Sequence, residues 1–566
     1  MLPGHLTTTT TTTGGFHMQD ANASARALAD RYWEELLGLE PLIGTMIGDE
    51  RFDDRLPDPS EEGLAHRADV HRSALSELEA FDRSGLGETE RTTLATMEAI
   101  ARRDLATVDH RLDRFGAVNH FFGPGQLLAD LGSLQRAATP EGVERYLERL
   151  RRIPRFLDET GRVAEDGARV GQTMPGLVVD RTIGQVERLI AMSPAETPGV
   201  APIPEADAAG RERAVEVLRD EVWPAYQRYL EVLRSYRPLA TDTIGRYALP
   251  NGDAIYAAEI LGFTTLVLDP KEVHEIGVRD LAGIQEERMA IATALGFPDP
   301  ERAEAAHTAS GKNLAATREE LVELVRGQVQ RSWDAARRWF GRVPTENCEV
   351  REIEPFREKD MAGAFYQPGT GDGGRKGIYF VNCYDLPNRP LHHIATMTYH
   401  EANPGHHFQI SIEQEFTDRP ALRRFGGIFA GSSFAEGWGL YSERLADEMG
   451  LFLDEYERMG MLEAQAWRAC RLIVDTGIHA LQWDRDRSIA QMVAGGVPPV
   501  DAAIEVDRYI AMPGQALAYK IGQFEIEKWR AAAAAKQGDA FSLPAFHDRL
   551  LELGSLPLPA LQAEMA

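Results

Sequence analysis

Apolar residues recur at three- and four-residue intervals through most of this chain, the repeat that lines one face of an α-helix. The pattern starts at Ala23, where Leu28, Tyr32, Trp33, Leu36 and Leu37 share a side, and Pro41 follows shortly after. Asp53, Asp54 and Pro57-Asp58-Pro59 make a polar break. Amphipathic stretches then predict helices over 67–113, 141–168, 175–190 and 211–236. Within 141–156, Val143, Tyr146, Leu147, Leu150 and Ile153 form one side, with Glu144, Glu148 and Arg152 on the other. Residues 191–207, interrupted by Pro194, Pro198 and Pro202, read as an extended loop. Helices are expected again over 271–296, 313–340 and 389–415, then within 432–449, 454–482, 502–509, 514–534 and 543–553. The charge-rich interval 301–312 reads as a connector.

Sheet signals are few. Residues 377–383 make the best strand, and Ala364-Phe365-Tyr366 is its candidate neighbour. Between them, Gly369 to Arg375 reads as a mobile turn whose glycines match neither a P-loop nor a dinucleotide-binding pattern. No constant-period repeat is present. The expectation is a mainly α protein, a large helical body with a deep cleft and a small β-sheet near the catalytic helices. Residues 21–566 would form a single unit, with two lobes around the cleft, behind a disordered leader over 1–20.

Charge and composition narrow the partners. The 566 residues carry 61 Lys plus Arg against 88 Asp plus Glu, a formal charge of -27. Such a surface repels nucleic acid and anionic membranes. Three cysteines, Cys348, Cys383 and Cys470, are too few and too far apart for a disulfide framework or a zinc knuckle. The first residues hold seven consecutive Thr and no basic region leading into an apolar core, so they do not read as a signal peptide. No run reaches the ~20 apolar residues of a membrane span. The expected location is cytoplasmic.

The chemistry concentrates in His400-Glu401-Ala402-Asn403-Pro404-Gly405-His406-His407, with Glu436 downstream in Ala435-Glu436-Gly437-Trp438-Gly439. In an H-E-x-x-H helix two His lie one turn apart and the Glu beside the first acts as general base. Here the position four after His400 is Pro404, which cannot coordinate. In an unbroken helix His407 would regain the face of His400 but stand about 10 Å along the axis. Two ligands of one zinc each lie about 2.0–2.1 Å from it, so that spacing fails. A bulge at Asn403-Pro404-Gly405 would return His406 to His400. The expected ligands are His400, His406 and Glu436, with His407 as an alternative ligand or substrate residue and Glu443 as a group that orients a ligand. Glu401 would be the general base. The nitrogen donors favour Zn2+, with Mn2+ or Co2+ as substitutes, over Ca2+.

Other polar groups are candidates around that centre. His392 and His393, two turns earlier, are assigned a structural or cleft role. His479, in Asp475-Thr476-Gly477-Ile478-His479, is a candidate oxyanion donor or carboxylate binder, and otherwise a packing histidine. In the segment Arg508 to Gly522, Tyr519 is a candidate oxyanion donor and Arg508 or Lys520 a candidate holder of a substrate carboxylate. Tyr379 and Arg375 are further candidate substrate contacts.

These motifs together resemble the bacterial DUF885 family, a zincin-like group. The resemblance rests on H-E-x-x-P-G-H-x-x-Q from His400 to Gln409 and F-A-E-G-W-x-L-Y-x-E from Phe434 to Glu443. Asp475–His479, Pro513–Gly522, Leu249–Gly252, Thr264-Thr265 and Glu272–Gly277 extend it to about residues 25–560. The family in turn resembles helical metallocarboxypeptidases and angiotensin-converting-type dipeptidases. That likeness implies ligand roles for His400, His406 and Glu436, the base role for Glu401 and oxyanion stabilisation by Tyr519. It also implies that Gly377-Ile378-Tyr379-Phe380 is an edge strand holding a peptide backbone. The expected activity is zinc-dependent hydrolysis of short peptides near a terminus, carboxypeptidase-like. The alternatives are an amidase or esterase acting on a small metabolite, and a non-catalytic peptide-binding protein.

Overall fold

The computed structural model describes residues 13–355, 358–361, 363–369 and 376–566. The longer helices before the sheet are α1 (Thr13–Leu39), α2 (Glu61–Ala80), α3 (Glu88–Asp109), α4 (Pro140–Arg169), α5 (Gly176–Ala191), α6 (Trp223–Tyr236), α7 (Gly252–Thr264), α8 (Pro270–Ala294) and α9 (Arg318–Ala336). Three short strands follow: β1 (Glu349–Glu352), β2 (Ala364–Gln367) and β3 (Ile378–Val381). Beyond them lie α10 (His392–Glu401), α11 (His406–Gln414), α12 (Ser433–Glu448), α13 (Glu455–His479), α14 (Pro499–Ala511), α15 (Ala518–Gln537) and α16 (Leu543–Leu553). The protein is thus predominantly helical with one small sheet. The expected leader overlaps α1 from Thr13, and residues 1–12 lie outside the described residues.

Helix ends follow local chemistry. Thr139 accepts a hydrogen bond from the Gly142 amide, and Pro140 opens α4 where no amide donor is needed. The Asp454 carboxylate accepts from the amides of Tyr456 and Glu457 to start α13. The stretch predicted as one helix over 67–113 is two, because the chain turns at Asp82, whose side chain accepts from the Ser84 amide, and α3 restarts after Gly87. The expected connector at 301–312 contains a helix, Pro300–Ala309, capped by Asp299 and anchored by buried Ala303. Glu301 and Arg302 cover the solvent side, while Glu304 turns inward to Arg288. The pattern also missed α7, which buries Ile255, Tyr256, Ala258 and Ile260 and so lacks a polar face to set the period.

α13 is the spine. Every residue from Ala469 to His479 is buried, as expected of a helix enclosed on all sides. Ile473, Val474 and Ile478 join a core with Tyr146, Leu150, Tyr229 and Leu233 from α4 and α6. Leu472 points into a second core with Phe408, Trp438, Ile521 and Trp529. Gly277 of α8 packs so closely on α13 that a Cβ there would lie 2.7 Å from the Leu472 Cβ. No described helix is long and apolar enough to cross a membrane. All three cysteines are buried thiols.

The strand order is β1-β3-β2, with β1 parallel and β2 antiparallel to β3. Glu349 pairs with Ile378, and Ala364 with Val381. The edge-strand expectation for Gly377–Phe380 is therefore corrected. β3 is the central strand and all four of its residues are buried.

His547 of α16 shows how burial couples this core to pH. Its Nδ1–H donates to the Trp339 carbonyl at 3.0 Å and its Nε2 accepts from the Tyr441 hydroxyl at 2.8 Å. Burial, only partly offset by the Trp339 carbonyl, pushes its pKa down to about 4. As pH falls below about 6.5, the unfolded chain takes up this proton and the folded one does not, so stability is lost. Wild type should lose about 2 kcal/mol relative to His547→Gln between pH 8 and pH 5. Urea unfolding of both proteins at the two pH values checks it, and equal losses would refute the assignment.

Candidate metal centre

The helical run ends at Glu401 because Pro404 supplies no amide hydrogen to continue the ladder. The chain passes through Asn403–Pro404, whose peptide bond is cis, and α11 restarts at His406. Gly405 lies against the end of α10, where a Cβ would fall 1.8 Å from the His400 carbonyl oxygen. Trp438 of α12 holds the connection by donating its indole N–H to the Pro404 carbonyl at 2.9 Å.

This path turns the imidazoles of His400 and His406 toward each other, edge to face, with centroids 4.7 Å apart. The Glu436 carboxylate enters from α12, 3.6 Å from His400 Nε2 and 3.7 Å from His406 Nε2. Donor atoms of all three lie within 4.8 Å of one another. Donors about 2.0–2.2 Å from a tetrahedral ion stand about 3.4 Å apart, so the spacing suits a metal. The donor set of two nitrogens and one carboxylate suits a borderline transition ion.

Neighbouring groups fix the donors. His400 Nδ1 meets the Glu443 carboxylate at 2.8 Å, leaving Nε2 for the centre. Glu443 accepts from Gln465 at 3.0 Å, Gln465 accepts from Lys520 at 2.9 Å, and Lys520 pairs with Asp280 at 2.8 Å. Gly439 leaves room for the His400 ring, whose Cε1 would lie 2.7 Å from a Cβ there. Gly437 crosses Gly522 of α15 so tightly that a Cβ would be 2.4 Å from the Gly522 backbone. Small residues at this crossing bring Glu436 to the two histidines.

Charge is concentrated at the centre. Burial opposes the His400 cation, yet the Glu436 and Glu443 carboxylates raise its pKa to about 10. Burial likewise opposes the Glu436 anion, and His400 and His406 hold its pKa well below the usual carboxylate range. The carboxylates that favour a positive charge on His400 would favour a bound cation in the same place.

The remaining candidates distribute as follows. The Glu401 carboxylate accepts from the Tyr366 amide of β2 at 3.0 Å, which sets the sheet beside it. His407 turns away. Its Nε2 faces the Glu346 carbonyl at 3.0 Å, and its Nδ1 faces the Tyr366 hydroxyl at 3.0 Å and that of Ser411 at 3.2 Å. It ties α11 to β2. Tyr519 is almost buried on α15, one turn before Gly522, under the guanidinium of Arg471 at 4.4 Å. Arg508 contacts Glu505 at 3.2 Å and Gln515 at 2.6 Å. Lys520 is buried in the relay behind His400, so its ammonium is committed to Gln465 and Asp280 rather than presented to a substrate. Tyr379 is fully buried with its hydroxyl 3.5 Å from Thr398, a core position. His479 accepts from the Arg246 amide at 3.2 Å and faces the Tyr509 carbonyl at 3.0 Å. Burial pushes its pKa down to about 3, so it is a neutral packing histidine with both nitrogens engaged. Arg375 and the 370–375 turn lie outside the described residues.

A second cluster lies two turns up α10. His392 Nε2 is 3.3 Å from Glu463 Oε2, and His393 Nε2 contacts the same oxygen. At the first turn of the helix these adjacent rings splay around one carboxylate and form a group able to hold a metal. Here, however, Arg288 already approaches Glu463 at 3.3 Å and Glu304 at 2.8 Å. Sequence reasoning missed Glu463, Gln465 and Arg471, which sit inside an ordinary helical repeat with no local motif.

Known structures share this architecture. A candidate lipoprotein from Colwellia psychrerythraea superposes with a TM-score of 0.87 at 25% identity, over 96% of this chain and 98% of its own. A candidate lipoprotein of unknown function from Shewanella oneidensis gives 0.74 at 18% identity, over 95% and 98%. No curated protein matches the sequence. The descriptions of both structures as lipoproteins overturn the cytoplasmic expectation, which had rested on the lack of a recognisable signal peptide, membrane span or disulfide framework. The match over residues 41–565 covers nearly all of the fold and both halves of the metal centre, and the chain belongs to DUF885, a family of bacterial proteins of unknown function.

Proposed function

We propose that this protein is a metal-dependent hydrolase that cleaves short peptides near a terminus, with zinc held by His400, His406 and Glu436. The observation that carries the reading is the convergence of these three donors, with Glu401 next to His400 in the chain and within electrostatic reach of its ring. A bound transition metal would polarise the scissile carbonyl and acidify water. Glu401 takes the proton of the attacking water and returns it to the leaving nitrogen. Tyr519 donates its hydroxyl hydrogen to the oxyanion as negative charge develops. Glu443 keeps His400 in the required tautomer. On this reading the substrate would reach the metal from the side of β2, which contacts Glu401, and of α15, which carries Tyr519. We also propose that residues 21–566 work as one unit. The lipoprotein descriptions of both structural relatives support a location outside the cytoplasm, at a membrane surface.

Of the two histidine clusters, we assign the metal to the one containing Glu436. Both carboxylates face two imidazoles, but Glu463 also has the Arg288 guanidinium at 3.3 Å, a cation already in place where the ion would add its charge. Protein loaded with zinc, manganese or cobalt should carry about one ion per chain, the complement of a single-ion catalytic site. Glu436→Gln should lower the occupancy and Glu463→Gln should not. Metal analysis by mass spectrometry decides this, and absence of stoichiometric metal under all three loadings sinks the mechanism. Turnover on a panel of dipeptides, tripeptides, small amides and esters then separates a peptidase from an amidase or esterase.

A further inference from the structure

Two guanidiniums stand beside Tyr519 with one carboxylate between them. Arg471 of α13 is 6% exposed, and its Nη1 is buried with no hydrogen-bond partner among the described residues. Its Nη2 pairs with Glu505 at 3.0 Å, and its guanidinium lies over the Tyr519 ring at 4.4 Å. Arg508 of α14 shares the same Glu505, at 3.2 Å, and is partly open to solvent. Glu505 is further occupied by the Tyr509 hydroxyl at 2.6 Å. Asp501 lies one turn earlier on α14, toward the His393 and Arg389 side. An arginine presents five donors in a planar fork suited to a carboxylate. Burying one with a terminal NH2 unused is costly unless another acceptor arrives. Such a pair with a single carboxylate leaves one positive charge for an anion.

The position of the pair selects the anion. Tyr519 precedes Gly522 by one helical turn, about 5 Å along α15. Gly522 backs directly onto Gly437, the residue after Glu436. The same helix α15 thus carries Tyr519, which Arg471 overlies, and Gly522, which backs onto the segment that supplies Glu436. We propose that Arg471, together with Arg508, binds the free C-terminal carboxylate of the substrate. The enzyme would then be a carboxypeptidase, acting at the C-terminus. This inference rests on the hydrolase reading above.

The test uses the metal-loaded full chain and peptides matched except for a free or amidated C-terminus. An amidated peptide ending in Asp distinguishes a side-chain carboxylate from the terminus. The free acid should be favoured over both amides by roughly 100-fold in kcat/KM, mostly through KM, as expected for losing charge-assisted bonds. Arg471→Gln should reduce the free acid to the level of the amide with metal content unchanged. Arg508→Gln, at a more open position, should move it the same way and guards against misfolding of the first variant. Binding to Glu401→Gln by calorimetry provides a readout free of turnover. Tighter binding of the free acid, lost on adding Arg508→Gln, supports the anchor even if the chosen peptides are not cleaved. Cleavage or binding that ignores the C-terminal group overturns the anchor and leaves the hydrolase reading standing. Equal preference for the amidated Asp peptide overturns the terminal assignment.

Discussion

Glu401→Gln should leave the metal in place and reduce turnover by about 10³-fold or more, at the upper end of what one positioned acid–base group contributes. The amide keeps the size of the carboxylate and an oxygen to accept from the Tyr366 amide, so the contact with β2 survives. It cannot take a proton from water near neutral pH, so the proton transfer alone is removed. His400, His406 and Glu436 do not depend on the Glu401 side chain for position, since Glu443, the Gly405 turn and the Gly437–Gly522 crossing hold them. Metal content and kcat measured on one preparation separate the two effects. Retained turnover on a verified substrate would mean that another group, or none, moves the proton. Loss of metal would mean that Glu401 has been given the wrong role.

Gly405→Ala should have the second large effect, on the metal rather than on proton transfer. The new Cβ would lie 1.8 Å from the His400 carbonyl oxygen and 2.5 Å from that of Tyr399. Both contacts are backbone atoms, so no side-chain rotation relieves them. The turn must open, and the next residue is His406. A displacement of about 1 Å at a reacting centre costs about 10²-fold in rate. We expect metal affinity to fall by about 100-fold, the scale seen when ligand support is removed. The accompanying loss of stability should be only about 1–3 kcal/mol, as for other overpacked sites. A competitive chelator titration reads the affinity and thermal unfolding of the metal-free protein reads the stability. Wild-type affinity in a folded variant would show that the turn does not set the position of His406.

The helical character was legible because it is written between near neighbours. A repeat such as Val143, Tyr146, Leu147 and Leu150 needs only the 3.6-residue period to define a buried side. α7 was lost for the same reason in reverse, since a helix apolar on several faces carries no contrast to read. β3 was visible as a strand and Ala364-Phe365-Tyr366 as its neighbour, but its central place was not, because the short β1 that pairs on its other side carries too few residues to show a strand pattern. Within the candidate centre, the sequence by itself determined which donor-bearing residues were available and that Pro404-Gly405 must break the helix between them.

Only the tertiary structure decided which of those donors face one another. His406 and His407 are adjacent and chemically identical. One meets Glu436, while the other is claimed by the Glu346 carbonyl and Tyr366. His479 looked as reactive as His400 in isolation, and the Arg246 amide and Tyr509 carbonyl engage both its nitrogens. Lys520 was available for a substrate until Gln465 and Asp280 took its ammonium. Arg471 carried no signal in its own helix, and only the fold pairs its Nη2 with Glu505, lays its guanidinium over Tyr519 and leaves its Nη1 without a hydrogen-bond partner among the described residues. The physical reason is common to all four. A polar group's role depends on which hydrogen bonds remain unmade, and distant segments of the chain supply or withhold them.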